Sequence, residues 1–591
     1  MARPNILLIV ADDLGFSDVG CFGSEINTPN IDKLAAEGIR MTDFHTAAAC
    51  SPTRSMLLTG TDNHIAGVGV MNGQKYFNLD RWNAPGHEGY LNFRVAALPE
   101  LLQDGGYTTL MSGKWHLGLR TDQLPGARGF DRSFTLLPGC ANHYGYEPQF
   151  EDDDMIRFFE MNGPLYTEDD VKADVQPNKA NDPADFYSTD TFTDKMLGYL
   201  VDRPDKNKPF FGYLAYSSPH WPLQVGKKWR DTYKGVYSDG PEALRQRRVA
   251  NLKKSGLIPE HAIPHDVVAP ASSEWEKLTE EEKQLSARAM ETYAGMVENL
   301  DWNIGRVLEH LEKTGERENT LIVFMSDNGA EGASLEAWPT MGGDLMKIVR
   351  KYHNNSLDNI GEFDSYVWYG PRWAQASTAP SRLYKMFSTE GGIRVPFVFN
   401  YAPWTKSKAG SVLKTFATVM DLAPTILQLA GITHPASTNS QFRGRNVEPI
   451  RGKSWVEYFE GGIRDPDNVD AIHTSDDPAV GWELFGRAAL RKGKWKILFM
   501  PAASYGTNNW ELFDLDADPG EINNLAEKEP EKLAELIGHW DTYVKETGVV
   551  WGPPLRPGPV NVDMTTVIGG DPLDDTRAWM PPTRAQSKRR V

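Results

Sequence analysis

Apolar residues in this chain gather into short unbroken runs, and each run stops at a group of polar side chains. Ile6-Leu7-Leu8-Ile9-Val10 contains no polar position, as expected of a strand buried on both faces of a parallel sheet. It ends at Asp12-Asp13. Phe210-Phe211-Gly212-Tyr213-Leu214-Ala215-Tyr216 runs out into Ser217-Ser218-Pro219-His220, and Thr320-Leu321-Ile322-Val323-Phe324-Met325 into Ser326-Asp327-Asn328-Gly329. Thr108-Thr109-Leu110-Met111 delivers Lys114 and His116. Helical patterns lie between these runs. One follows Thr28 as N-cap, with Pro29 at its first position and Gly38 after its end. Another starts at Leu98. A long helix is predicted over 279–313, where Thr279 and Glu282 are spaced as a capping box and Leu300, Ile304, Val307, Leu308 and Leu311 share one face. The alternation predicts an α/β fold with a large, mainly parallel sheet sandwiched by helices. Such sheets bind ligands beyond the carboxyl ends of their strands, so polar residues at four strand ends predict one composite site.

After about residue 440 the pattern changes. Arg487-Ala488-Ala489-Leu490-Arg491, Lys494-Trp495-Lys496-Ile497-Leu498-Phe499 and Trp510-Glu511-Leu512-Phe513-Asp514-Leu515 read as short strands, the first two joined by a turn at Lys492-Gly493. A helix after Pro530 carries Leu533, Leu536, Ile537, Trp540 and Val544 on one side. This predicts a small antiparallel sheet with a helix. The chain therefore divides into 1–440, an α/β catalytic domain with insertions, 441–550, an α+β subdomain, and 551–591, a tail. The tail passes through Pro553, Pro554, Pro557 and Pro559 and ends at Lys588-Arg589-Arg590. It cannot form its own core. Two readings stand side by side, an arm packed on another subunit in a homo-oligomer and a disordered end.

Composition narrows the function. Of 591 residues, 40% are hydrophobic and 24% charged, the balance of a globular protein. A formal net charge of -18 argues against nucleic-acid binding and makes any site for an anion conspicuous, since local Arg and Lys must overcome the global field. No stretch approaches the run of about 20 apolar residues that a membrane span needs. Met1-Ala2-Arg3-Pro4-Asn5 enters the first strand without an apolar leader, so a cytoplasmic location is expected. Three cysteines, Cys21, Cys50 and Cys140, make no disulfide framework.

Candidate chemistry centres on Cys50-Ser51-Pro52-Thr53-Arg54-Ser55-Met56-Leu57-Leu58-Thr59-Gly60, a C-x-P-x-R pattern followed by a short apolar helix and a glycine stop. Pro52 suits the first helical position, which places Cys50 at a helix N-terminus beside unpaired N–H groups. Arg54 lies one turn along, and its fork suits a metal-bound oxygen or a sulfate oxygen. Taken alone, a cysteine behind Ala47-Ala48-Ala49 reads as a small buried hydrophobe. Asp12-Asp13 alone reads as a helix cap and solvated turn, and Asp327-Asn328-Gly329 as an ordinary turn. As a set, Asp12, Asp13, Asp327 and Asn328 are hard oxygen donors of the kind that select calcium or magnesium.

With Gly113-Lys114-Trp115-His116-Leu117-Gly118, Ser218-Pro219-His220-Trp221 and Glu390-Gly391-Gly392-Ile393-Arg394-Val395-Pro396 added, the chain resembles the type I, formylglycine-dependent sulfatases of the alkaline phosphatase superfamily. The continuation Thr61-Asp62-Asn63-His64-Ile65-Ala66-Gly67 is similar to bacterial arylsulfatases, and Asp518-Pro519-Gly520-Glu521 to the family's C-terminal subdomain. The resemblance implies an arylsulfatase that hydrolyses small sulfate monoesters to an alcohol or phenol and sulfate. It implies that a maturation enzyme converts Cys50 to formylglycine, whose hydrate attacks sulfur and later expels sulfate by losing its second hydroxyl proton. Asp12, Asp13, Asp327, Asn328 and residue 50 would hold a divalent metal, calcium by resemblance. Arg54 would attend the metal or sulfate, Lys114 bridge formylglycine and sulfate, and His116 handle the hydrate's proton. His220 would sit near the ester oxygen and Lys385 bind sulfate. One departure is Thr53, where the commoner motif has serine; it falls in the variable part of the pattern. Insertions at about 140–205, 222–275 and 332–380 carry His143, Tyr144, Tyr146, Trp368, Tyr369 and Trp373, with Asn142-His143-Tyr144-Gly145-Tyr146 the leading candidate for an aryl pocket wall. The competing functions are a phosphonate or phosphate ester hydrolase of the same superfamily and a non-catalytic anion-binding homologue.

Overall fold

The structure, a computed structural model, describes residues 3–71, 79–148, 166–182, 184–333, 349–461 and 465–551. At its centre is a ten-stranded mixed sheet in the order 411–413, 39–41, 397–400, 320–326, 5–11, 210–215, 108–114, 132–136, 166–168, 171–172. The five strands from 320–326 to 132–136 are parallel neighbours, and antiparallel pairs flank them on both sides. Asn5–Ala11 is buried along its whole length, as its unbroken apolar run requires.

Register fixes where the strands stop. Ala11 pairs with Ser326, Val10 with Ala215, and Gly113 with Ala215. Asp12, Asp327, Lys114 and the turn leading to His220 therefore emerge at one level. Gly113 takes φ +123°, and a Cβ there would lie 1.8 Å from the Ala215 carbonyl oxygen. Only glycine lets these two strands approach so closely just before Lys114.

Helices Pro29–Glu37, Ser188–Val201 and Glu280–Lys313 pack together as one group, and Cys50–Thr59, Leu98–Asp104 and Leu422–Ala430 as another. The long helix starts as its capping box predicts: the Thr279 backbone N–H donates to Glu282 Oε2 at 2.8 Å, and Thr279 Oγ1 accepts from the Glu282 N–H at 3.3 Å. Thr28 occupies its N-cap position without capping by its side chain. Its hydroxyl accepts from the Gly20 N–H at 2.8 Å and donates to Asp32 at 3.1 Å instead.

The small sheet is antiparallel in the order Val480–Leu484, Arg487–Lys492, Trp495–Phe499, Trp510–Asp514. Its first strand escapes the sequence pattern because Gly481 interrupts it; a Cβ there would meet the Tyr543 ring at 2.6 Å. Helix Pro530–Thr547 sets Leu536, Trp540 and Tyr543 against Ala488, Leu490, Ile497 and Leu512. Residues 552–591, which hold the Pro-rich and basic tail, lie outside the described residues. No described helix is long and apolar enough to cross a membrane.

Candidate functional site

The helix that carries Cys50 is Cys50–Thr59, with Ala49 as N-cap. Pro52 is thus its third residue, not its first. Cys50 still sits among unpaired donors, since the first four N–H groups of a helix have no intrahelical acceptor. Thr53 turns its Oγ1 back to accept the Ala47 N–H at 2.9 Å, so the threonine of the motif braces the chain that enters the helix. Gly60, in the left-handed region at φ +67°, closes the helix by donating to the Met56 carbonyl at 2.8 Å.

Around Cys50 the strand ends converge. His116 Nδ1 lies 3.2 Å from Cys50 Sγ. Lys114 Nζ donates to Asp12 Oδ2 at 2.6 Å. Arg54 grips Asp327 Oδ2 through Nε at 3.0 Å and Nη2 at 2.7 Å, and its Nη1 donates to the Lys114 carbonyl at 2.9 Å. On the far side, Lys385 Nζ reaches both Asp13 oxygens, at 2.8 and 2.9 Å, and Glu331 at 3.2 Å. Asn328 Nδ2 donates to Asp13 Oδ1 at 2.7 Å, and His220 Nε2 stands 3.4 Å from Asp13 Oδ2. The four strand ends, the Cys50 helix and the loop carrying Lys385 thus bring together every residue named from the sequence for catalysis or metal binding. Asp13 and His116 hold positive φ, +68° and +55°, a strained backbone for non-glycine residues that packed surroundings must enforce.

Burial and charge set the protonation of this cluster. Burial pushes the Asp12 carboxyl well above its usual range, and Asp327 and Asp13 add to this against the pull of Lys114 and Arg54. Asp13 is also pushed up by burial, but Lys385, His220 and Lys114 outweigh it and hold it at about 2. His116 is driven well below the ordinary histidine value by burial and by the cations Lys114, Arg54 and Lys385. His220 falls likewise through burial, with Asp13 opposing and Lys385 and Lys114 assisting. Burial raises the Cys50 thiol. Burial and the neighbouring cations thus favour the neutral form of both histidines, and His116 Nδ1 faces residue 50 with a role set by its tautomer.

The donors fit a divalent cation. Ligand atoms of Asp12, Cys50 and Asp327 lie within 4.8 Å of one another, as do those of Asp12, Asp13 and His220. Asp12 Oδ1 and Asn328 Oδ1 are buried without a hydrogen-bond donor, although buried polar atoms are normally satisfied. Three crowded carboxylates with two orphaned oxygens form a hard donor set that a cation would complete.

Within the run from Asn142 to Tyr146, His143 and Tyr144 are packing residues rather than a pocket wall, while Tyr146 is half-buried. His143 is buried and bridges Ser188 Oγ at 2.7 Å and the His220 carbonyl at 2.9 Å; Tyr144 packs on Tyr187. His143 thereby braces the His220 backbone. Tyr369 and Trp373 are also core residues, stacked on Tyr293 and packed against Tyr237 and Trp275. The half-buried aromatics near His220 are instead Trp221, whose ring lies 4.8 Å away, and Trp368, 6.4 Å from Trp221, with Tyr366 5.9 Å from the same indole. Trp221 and Glu331 were legible as neighbours of motif residues, one following His220 and the other four positions after Asp327. Tyr366 carried no such signal.

The sulfatase family model matches residues 4–432. The chain belongs to the sulfatase family. An uncharacterized sulfatase of Schizosaccharomyces pombe is 51% identical over 552 residues, spanning 93% of this chain and 95% of its own. An arylsulfatase of Klebsiella aerogenes is 36% identical over 457 residues, covering 76% of this sulfatase and 91% of that enzyme. Among solved structures, Ps i-CgsB superposes with a TM-score of 0.61 at 24% identity, over 97% of this chain and 99% of the other. A phosphonate monoester hydrolase of Agrobacterium radiobacter shares the fold at a TM-score of 0.52 and 19% identity, over 92% and 96%. The expected alkaline phosphatase-like architecture, a large sheet flanked by helices with a small C-terminal antiparallel sheet, is the one this sulfatase has.

Proposed function

We propose that this sulfatase is an arylsulfatase acting through formylglycine at position 50 and a divalent metal. The observation that carries the reading is the gathering of Lys114, His116, His220 and Lys385 around Cys50, a combination not expected of a phosphonate or phosphate ester hydrolase. Asp12, Asp13, Asp327 and Asn328 would hold the metal, calcium by the hardness of the donors and the family resemblance, and it would polarise the sulfate oxygens and acidify a hydroxyl at residue 50. Formylglycine hydrate would supply two geminal hydroxyls, one to attack sulfur and one whose deprotonation releases sulfate. A formylglycine-generating maturation enzyme is thus the implied partner.

The residues divide the remaining work. Lys114 and Lys385, held apart by Asp12 and Asp13, present two fixed ammonium groups to the sulfate oxygens, stabilising charge where it develops. His116 Nδ1 takes a proton at residue 50. His220 serves the other end. Burial chiefly, with the lysines assisting, keeps this imidazole neutral; an anionic ester between the lysines would oppose both, so that His220 can carry the proton that the departing oxygen needs.

Aryl preference rests on the half-buried indole of Trp221 beside His220, with Trp368 next to it, which would face the leaving group. Trp221→Leu is expected to lower kcat/KM for 4-nitrophenyl sulfate by about tenfold, the upper worth of an aromatic pair, while changing the rate on a small alkyl sulfate little. A panel of aryl, alkyl and sugar sulfates and an aryl phosphonate, run on both proteins, makes the test. Equal losses on aryl and alkyl esters would remove the aryl assignment. Faster turnover of the phosphonate than of any sulfate would favour the alternative hydrolase.

A further inference from the structure

The loop that carries Lys385 is gripped from two sides. On the catalytic side, the Lys385 N–H donates to the Ala330 carbonyl at 3.0 Å, and the Met386 N–H to the Ala48 carbonyl at 2.7 Å, two residues before Cys50. On the other side the partners come from the small sheet and the turn that follows it. Arg382 pairs with Glu511 at 2.7 Å. Arg487 Nη1 donates to the Met386 carbonyl at 2.6 Å, its guanidinium lies 4.5 Å from the Phe387 ring, and its own carbonyl accepts from Ser388 Oγ at 3.1 Å. Lys496 joins Glu390 and Glu521, each at 2.7 Å, and Glu521 accepts the Glu390 N–H at 2.9 Å.

The backbone explains why so many contacts are needed. Leu383 and Met386, on either side of Lys385, hold φ of +57° and +75°. Neither is a glycine, and such backbone persists only where its surroundings over-determine it. The Met386 peptide groups are the decisive point: the amide is tied to the chain entering the nucleophile helix and the carbonyl to Arg487. Arg487 is 1% exposed, and burial lowers its pKa to about 10.

We propose that Arg487 is a positioning residue for the sulfate-binding site, holding Met386 in its left-handed conformation so that the Lys385 ammonium points at the substrate anion. The small C-terminal sheet thereby completes the catalytic centre without touching substrate. The proposal rests on the reading that Lys385 binds sulfate.

The test is a double-mutant cycle read by the inhibition constant of inorganic sulfate and by kcat/KM on an aryl sulfate, using metal-loaded full-length enzyme. Arg487→Met is expected to raise the sulfate constant about tenfold and to lower kcat/KM by about ten- to a hundredfold, as misplacement of a distant support does. Added to Lys385→Ala, the same change is expected to do little more, because its effect passes through Lys385. Ile497→Ala, in the small core beneath the sheet, is expected to lower Tm while leaving the sulfate constant unmoved. Arg487→Lys keeps the charge with a shorter reach and covers the case in which the methionine variant does not fold; an intermediate rise in the sulfate constant is expected. Equal losses from Arg487→Met with and without Lys385, or a sulfate constant that follows Tm in Ile497→Ala, would overturn the proposal. An unchanged constant in Lys385→Ala alone would instead overturn the underlying reading of the lysine.

Discussion

Cys50→Ser is expected to release one phenol per site from an aryl sulfate and then stop. Serine keeps a hydroxyl where Cys50 Sγ lies, 3.2 Å from His116 Nδ1, with the buried ammonium groups of Lys114 and Lys385 nearby. His116 can take the hydroxyl proton, the oxygen can attack sulfur, and the phenol can leave with a proton from His220. What remains is a serine sulfate ester. Its carbon bears no second hydroxyl whose proton loss would expel sulfate, and hydrolysis would need a water placed in line behind sulfur. Rapid-quench kinetics should show a burst equal to the enzyme concentration, and mass spectrometry a peptide carrying sulfate on the substituted serine. In the parent enzyme the same peptide should be lighter than a cysteine peptide by the difference between CH2SH and CHO. Repeated turnover by Cys50→Ser near the parent rate, or an active parent with Cys50 wholly a thiol, would sink the formylglycine route.

Asp327→Ala is expected to remove metal and activity together. Asp327 is fully buried, and it accepts two bonds from Arg54 and one from the Asp13 N–H at 3.3 Å. Its loss deletes a charged ligand and strands a buried guanidinium, and breaking such a pair costs about 3–5 kcal/mol of stability. A rate loss of at least about 10²–10³-fold is expected, comparable to removing a strong electrostatic stabiliser. Asp327→Asn, which keeps the shape and one acceptor for Arg54 but not the charge, should restore only part of the Tm and no metal content. Metal analysis beside activity distinguishes the two effects. Full activity in chelator-stripped parent enzyme would end the metal assignment.

The parts of this site that lie at strand ends were legible because a strand leaves little choice about where its next residue goes. Once Asn5–Ala11 and Thr320–Ser326 are neighbours in register, Asp12 and Asp327 must be adjacent. The long helix was legible from its capping box, and Cys50 from its pattern. Lys385 could be assigned only by likeness to a family, because the left-handed backbone that aims it belongs to Leu383 and Met386 rather than to a glycine that sequence would flag. The aromatic insertions misled for a related reason. Tyrosine and tryptophan serve cores and pockets equally well, and only packing shows that His143 braces His220 whereas Trp221 stands half open beside it. The small sheet's first strand was hidden by Gly481, present to admit the Tyr543 ring.

The burial of the Cys50 helix bears on timing. Every residue from Cys50 to Thr59 is enclosed, and Cys50 is closed in by side chains as distant in sequence as Lys385. A modifying enzyme must grip several residues around its target cysteine, so it must reach them while this stretch is still extended. The chain between Arg54 and Lys385 takes roughly 15–65 s to synthesise at about 5–20 residues per second. On the proposed maturation, oxidation of Cys50 must precede this closure, so overexpression that outpaces the maturation enzyme should leave a folded fraction as thiol.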